Sequence, residues 1–262
     1  MAEMTRPPMD APASAYDRGW IAQHLADERR ASSLLGEIRE IVFGAQDGLV
    51  STLAVVATVA GATGQAYAVV IAGIASALAG VFSMAAGEYI GSKSQREIHD
   101  AQIHDERHEV DERPGEAEAE VAYMLTEEGL DEQEAARIAG LMARHPEVLL
   151  RTMVTRELGI HVDDQGGSVV RGAIFMGAAF GLGALVPILP FLILPVPMAM
   201  PGAVIATGLV LFGIGVVKSR WTHRSAISSG LEVLTLAAIA GIAGYLVGTV
   251  LPQLLGVAGI AA

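Results

Sequence analysis

Residues 99–113, HDAQIHDERHEVDER, bring His99, Asp100, His104, Asp105, Glu106, His108 and Glu109 together before adding Asp111 and Glu112. Carboxylate oxygens and imidazole nitrogens are the usual donors to divalent cations. On a helical wheel, His99, Gln102, Glu106 and Glu109 share one face, while His104 and His108 point elsewhere and read as solvent-facing or auxiliary. Between residues 97 and 120 there are ten carboxylates and three histidines. Past Pro114 and Gly115, Glu116 and Glu120 fall one turn apart, as do Met153 and Glu157 further on. Carboxylates on facing helices hold a divalent ion without exposing unpaired backbone, and a nearby thioether shifts preference toward softer transition metals. Glu127, Glu128, Glu132 and Glu134 read as solvated faces.

A second set of acids lies in apolar surroundings. Asp47 stands in FGAQDGLVS between Gly44 and Gly48, and Glu88 stands one turn beyond Met84 in FSMAAGEYIG. An aspartate deep in a membrane span costs about 2.5–3.5 kcal/mol even on lenient insertion scales. Such a residue marks a function. A carboxylate and a thioether on one face suit a borderline ion such as Fe²⁺, so Asp47, Met84 and Glu88 are expected to line an ion path. Glu232 lies near the expected end of a span, within reach of the headgroups.

The elements that position these groups follow from hydropathy. The chain is 52% hydrophobic, and five segments are long and apolar enough to cross a bilayer as helices: 41–61, 67–91, 172–193, 198–217 and 231–252. Arg29, Arg30 and Arg39 precede the first, Lys93 and Arg96 follow the second, Arg171 precedes the third, and Lys218, Arg220 and Arg224 separate the last two. All fall on one side. The positive-inside bias therefore predicts a cytoplasmic N-terminus and an outer C-terminus. Residues 1–38 read as a flexible tail followed by an amphipathic helix over 21–40, and 39–91 as the first two spans. Residues 92–167 read as a cytoplasmic helical domain, and 168–262 as the last three spans. The fold class is all-α. Small residues at four-residue spacing (Ser76 and Gly80, Gly177 and Gly181, Gly244 and Gly248) fit either packing inside one bundle or a subunit seam.

The net charge of −12 is concentrated between Lys93 and Asp164, where 19 acidic residues face 8 basic ones. That sign argues against a nucleic-acid partner. With no cysteine, thiolate metal sites and cysteine nucleophiles are excluded. The start of the chain has no apolar core after a basic stretch, so it is not expected to be a cleaved signal peptide. Within the acidic segment, Pro114 and Gly115 should break a long helix, a second over EAEAEVAYMLTEEGL should end at Gly129, Asp131 should cap a third, and Pro146 should open a fourth before the DDQGG turn.

The motifs FGAQDGLVSTLAVV, SMAAGEYIGSKSQRE and MVTRELGI, with the acidic insert and the five-span layout, resemble the vacuolar iron transporter family, including its bacterial members. The resemblance covers about residues 35 to 255. It implies that Asp47 and Met84 line an ion path at a homodimer interface and that Glu106 and Glu109 bind metal. The family's E-x-x-E pair places its second glutamate on Glu120 but its first on Ala117, between Glu116 and Glu118. Its Met-Met-x-x-Glu run reads here as Met153, Val154 and Glu157, one thioether short.

The expectation is a homodimeric bacterial inner-membrane transporter exporting Fe²⁺, with Mn²⁺, Co²⁺ and Zn²⁺ as further candidates, in exchange for protons. Its metal ligands would be Glu106, Glu109, Glu116, Glu120, Met153 and Glu157. A membrane sensor or sequestering protein would bind metal without flux and leave Asp47 unexplained. A di-iron oxidase is disfavoured, because it uses Glu-x-x-His pairs and the histidines in EIHD and ERHE follow glutamate too closely.

Overall fold

The structure is a computed structural model that describes residues 16–160, 168–222 and 225–254, with a few side chains of α1 and a larger share of those in α8 left out. The tail over residues 1–15 and the DDQGG turn lie outside the described residues. Among those described there are eight helices and no strand: α1 (Arg18–Thr63), α2 (Ala66–Glu112), α3 (Pro114–Glu127), α4 (Glu132–Met142), α5 (Pro146–Glu157), α6 (Val169–Ile193), α7 (Val196–Thr222) and α8 (Ala226–Leu254).

The amphipathic segment expected over 21–40 is not a separate helix but the first part of α1. Nothing between Asp17 and Gly64 enforces a break. Asp17 accepts hydrogen bonds from the amides of Gly19 and Trp20, and the helix ends where Gly64 turns left-handed at φ 63°. At 1.5 Å per residue, α1 and α2 are each roughly 70 Å long, more than twice the hydrocarbon thickness of a bilayer. Both must continue beyond it.

Among the described residues, four helices are long and apolar enough to cross a membrane: the Gly36–Thr63 part of α1, α2, α6, and the Val196–Arg220 part of α7. The fifth expected span falls within α8, which is not one of those four. The uncharged proline-rich link after α6 is shorter than the sequence suggests. Pro197 sits in the first turn of α7, where its missing N–H costs nothing, and only Leu194 and Pro195 separate the two helices.

The chain forms two compact units, one of Met1–Ala86 with Gly172–Ala262 and one of Gly87–Arg171. In the first, glycines let backbones touch. A Cβ added to Gly44 or Gly48 would lie 2.4 Å or 2.2 Å from the carbonyl oxygens of Met176 and Phe180 in α6, and one on Gly183 would lie 2.5 Å from that of Ala45. On α2, Gly80 accepts the Phe180 ring, while Gly177 and Gly181 of α6 meet Val81. Gly80, Gly177 and Gly181 therefore pack helices within one chain, while the surroundings of Gly244 and Gly248 lie outside the described residues. Leu53, Val56, Val69, Ala77, Phe180 and Ile188 form the apolar cluster of that contact. Outward, Phe82, Leu182 and Ile193 are 70–80% exposed, a surface that acyl chains rather than water would cover.

In the second unit, α3, α4 and α5 pack on one another. Ala117, Val121 and Leu125 of α3 join Val110 of α2, Ala135 and Ala139 of α4, and Leu149, Leu150, Met153 and Val154 of α5 in a buried cluster. Asp131 caps α4 through the amides of Gln133 and Glu134, both at 2.8 Å. Pro114 and Pro146 open α3 and α5 at positions that need no amide donor.

Candidate metal-binding site

The acidic face of α2 is the one that packs. His99, Gln102, Ile103, Glu106 and Glu109 are half-buried and Val110 is buried, while His104, Asp105, Arg107 and His108 are exposed. Arg113 leaves helical geometry (φ −131°, ψ 53°), which ends α2 and starts α3. The turn brings Glu109 to Glu116 and Glu120. One carboxylate oxygen from each of the three lies within 4.8 Å of the others. Glu157, one turn after Met153 on α5, joins Glu116 and Glu120 in lining a surface pocket of about 400 Å³.

Burying Val121 and its neighbours along one stripe of α3 leaves Glu116 and Glu120 on the adjoining stripe. Ala117, the position between Glu116 and Glu118, is fully buried and can hold no ligand. Glu118 does not belong to the cluster: its carboxylate faces Gly140 of α4, 3.2 Å from where a Cβ would stand. Met153 has no exposed surface and lies in the apolar cluster, so it does not line the pocket. Tyr123 and Met124 do line it, and the sequence reading missed both. The signal was present, since Glu116, Glu120 and Met124 recur at one-turn spacing.

Three ionised carboxylates this close repel each other by on the order of 3 kcal/mol per pair at an effective dielectric of about 20. Two carboxyls of this neighbourhood, Glu106 and Glu120, are displaced upward. Glu106 is pushed up to about 7, first by burial and then by the charges of Glu157, Glu109, Glu120 and Asp105. Glu120 is also raised, first by burial and then by the charge and hydrogen bond of Glu109. One oxygen each of Glu106 and Glu109 is buried with no hydrogen-bond partner. A buried acceptor left unpaired is costly, and a cation among these oxygens would relieve both the desolvation and the repulsion. The donor set is oxygen-rich, rests on rigid helices, and fits a divalent ion.

Mostly exposed ion pairs surround the site and add little to the hold of the buried cluster. Arg107 of α2 forks onto Glu147 of α5 at 2.6 Å and 3.4 Å, Arg156 of α5 pairs with Glu128 after α3, and Arg113 meets Glu116 at 2.8 Å. The histidines stay apart: His108 pairs with Glu112 at 3.2 Å, and among the described residues none enters a cluster of three ligands.

In the apolar unit, Asp47 is half-buried on α1, and its carbonyl accepts the Ser51 hydroxyl at 2.6 Å. Among the described residues no basic side chain pairs with it. Met84 packs, partly buried, against the cluster around Phe180. Glu88, one turn further along α2, already belongs to the second unit; it is half-buried, and its carboxylate accepts from Ser92 at 2.5 Å. Glu232 is exposed on α8.

Comparison with known proteins decides the family. The model of the VIT family matches residues 38–249. The chain belongs to the VIT family. It is 31% identical to vacuolar iron transporter 1 of Eucalyptus grandis over 85% of this chain and 90% of that protein. It is likewise 31% identical to vacuolar iron transporter 1 of Arabidopsis thaliana, over 80% and 84% of the two chains. Similarity extends to the vacuolar iron transporter of Plasmodium falciparum, at 26% identity over 82% of each. With its long apolar helices, this member of the VIT family is a multi-pass membrane protein.

Proposed function

We propose that this protein carries Fe²⁺, together with Mn²⁺ and other first-row divalent ions, out of the cytoplasm in exchange for protons. The observation that carries the reading is the convergence of Glu109, Glu116 and Glu120 within 4.8 Å, beside Glu157, in a chain of this family. Relatives named vacuolar iron transporters support iron as the cargo. In this reading Glu106, Glu109, Glu116, Glu120 and Glu157 collect the ion on the cytoplasmic side. Asp47, Met84 and Glu88 pass it across the bilayer in a homodimer. The fold is read as five spans, with α8 as the fifth, residues 92–167 inside and the C-terminus outside. The membrane is read as the inner membrane of a bacterium.

The chemistry needs few parts. A carboxylate in low dielectric prefers to be neutral, so it releases a metal ion when it takes up a proton and binds again when it loses one. Asp47, set in an apolar helix and without a basic partner among the described residues, can serve both halves of that exchange. Glu106, poised near neutrality, makes the collecting site responsive to the same proton gradient.

The test is Fe²⁺ flux into inside-out proteoliposomes holding the purified protein, with and without a pH gradient and with Mn²⁺, Co²⁺ and Zn²⁺ as competitors. Gradient-dependent uptake is expected, and Asp47→Asn should abolish it while leaving metal binding by the acidic segment intact. Binding without flux in the wild type would make the protein a sequestering one. Full transport by Asp47→Asn would remove Asp47 from the path.

A further inference from the structure

We propose that the apolar unit holds one acyl chain of a bilayer phospholipid in a cleft between α1, α7 and α8. The cavity there has a volume of about 380 Å³ and is lined by residues of those three helices alone. The parts of α1 and α7 that line it belong to segments long and apolar enough to cross a membrane, so the space lies at the depth of the hydrocarbon. Thr207 is the one polar residue of the lining, and its buried hydroxyl has no hydrogen-bond partner. An ordered water needs about 2–4 polar partners, which one hydroxyl does not supply. An apolar cavity of about 150 Å³ in an engineered protein stays dry and takes up benzene, and this one has more than twice that volume. The fitting occupant is hydrocarbon.

The shape of the cleft points to a chain. Gly208 of α7 faces Leu234 of α8 and Gly215 faces Ser229, so the two helices run antiparallel. Met200 and Val204, near the start of α7, therefore stand level with Ile242 and Leu246 toward the end of α8. Val204, Ile242 and Leu246 are 47–62% exposed and form a mouth that opens sideways onto lipid. At the far end Leu211 is fully buried and packs with Leu49 and Val233, which closes the cleft. From Met200 to Leu211 is about 17 Å along α7, and from Leu234 to Leu246 about 18 Å along α8. Such an elongated space takes an alkyl chain with its methyl end against Leu211 and its ester end at the mouth. Charge decides which lipid. No basic residue occurs between Arg39 and Lys93, between Arg171 and Lys218, or after Arg224, so the carboxylate of a free fatty acid would find no partner here. An esterified chain carries no such charge. The chain, and not the headgroup, is what the cleft recognises.

The experiment places full-length protein in phosphatidylcholine nanodiscs doped with a phosphatidylcholine that bears a diazirine next to the terminal methyl of one chain. After illumination, peptide mass spectrometry maps the adducts, and the wild-type map needs no variant. Adducts are expected on the buried Leu53, Thr207 and Leu211 as well as on Ile205 and Leu209, which face outward. Val204→Trp, at the mouth, should cut the buried adducts roughly tenfold and leave those on Leu209 unchanged. The same labelled chain on phosphatidylglycerol should give the same map. Adducts confined to outward residues such as Ile205 and Leu209 would mean surrounding lipid only and overturn the proposal. A second copy of the chain seated over the mouth would also leave Leu53, Thr207 and Leu211 unlabelled, and refutes it equally. Labelling of those three by a diazirine fatty acid but not by the phospholipid would overturn it too.

Discussion

The position of Glu106 sets a pH dependence that can be worked out before any measurement. Its carboxyl is pushed up to about 7 by burial and by the charges of Glu157, Glu109, Glu120 and Asp105. Metal binding requires the ionised form. At pH 8 about nine-tenths of the metal-free protein has Glu106 ionised, and at pH 6 about one-tenth, so affinity for a divalent ion should fall roughly tenfold across that interval from this group alone. Glu120, raised by the same neighbourhood, steepens the fall. Stability of the metal-free protein runs the other way. Between the ordinary value of 4.5 and about 7, the folded state holds a proton that the unfolded chain has released. Stability therefore declines as pH rises through that window and stays lower above it. The full shift corresponds to about 3 kcal/mol, which solvent screening at this half-buried side chain reduces to about 1–2 kcal/mol. Glu106→Gln should therefore raise the melting temperature of the chelator-treated protein at pH 8 and leave it unchanged near pH 4. The same variant should weaken Co²⁺ binding at pH 8 and flatten its pH profile. Calorimetric titration of the full-length protein from pH 5.5 to 8 reads the affinity. A constant affinity over that range, or a wild-type melting temperature that climbs with pH in the absence of metal, would refute the assignment of Glu106 as a strained, metal-seeking carboxylate.

Other consequences follow from packing. Gly48→Ala places a methyl 2.2 Å from the Phe180 carbonyl oxygen, so α1 and α6 must separate; a loss of about 1–3 kcal/mol is expected, read as reduced thermal stability in detergent. Gly36→Ala meets nothing within 4 Å and should be neutral or mildly stabilising in the same assay. Asp131→Ala removes the cap of α4 and should cost about 1 kcal/mol, seen as faster amide exchange at Gln133 and Glu134, whose N–H groups it holds. Arg107→Ala breaks an exposed fork to Glu147 and should change stability by less than about 1 kcal/mol, an effect that salt reduces.

Much of this molecule was legible in one dimension. Uncharged runs of the right length could only be apolar helices, because a bilayer leaves no partner for open backbone. Pro114, Asp131 and Pro146 punctuate the chain through their own backbone chemistry, and each marks an observed helix boundary. The alternating three- and four-residue spacing of His99, Gln102, Glu106 and Glu109 correctly named the packed face of α2. Spacing also exposed Asp47 as an acid with no local reason to be there.

What spacing could not decide was which neighbours meet across helices. Glu116 and Glu118 look equivalent along the chain, yet one joins the carboxylate cluster and the other faces Gly140, because the stripe of α3 that buries Ala117 separates them. Met153 and Met124 are both one turn from a glutamate, and only the closing of the apolar cluster buries one and leaves the other on the pocket. The continuity of α1 likewise depended on the absence of any break, which a change in amphipathic pattern does not reveal. Helix type and burial stripe are local properties carried by residue chemistry. The encounter of Glu109 with Glu120 is set by a turn at Arg113 and by the volume of the side chains packed beneath it, and that exists only in three dimensions.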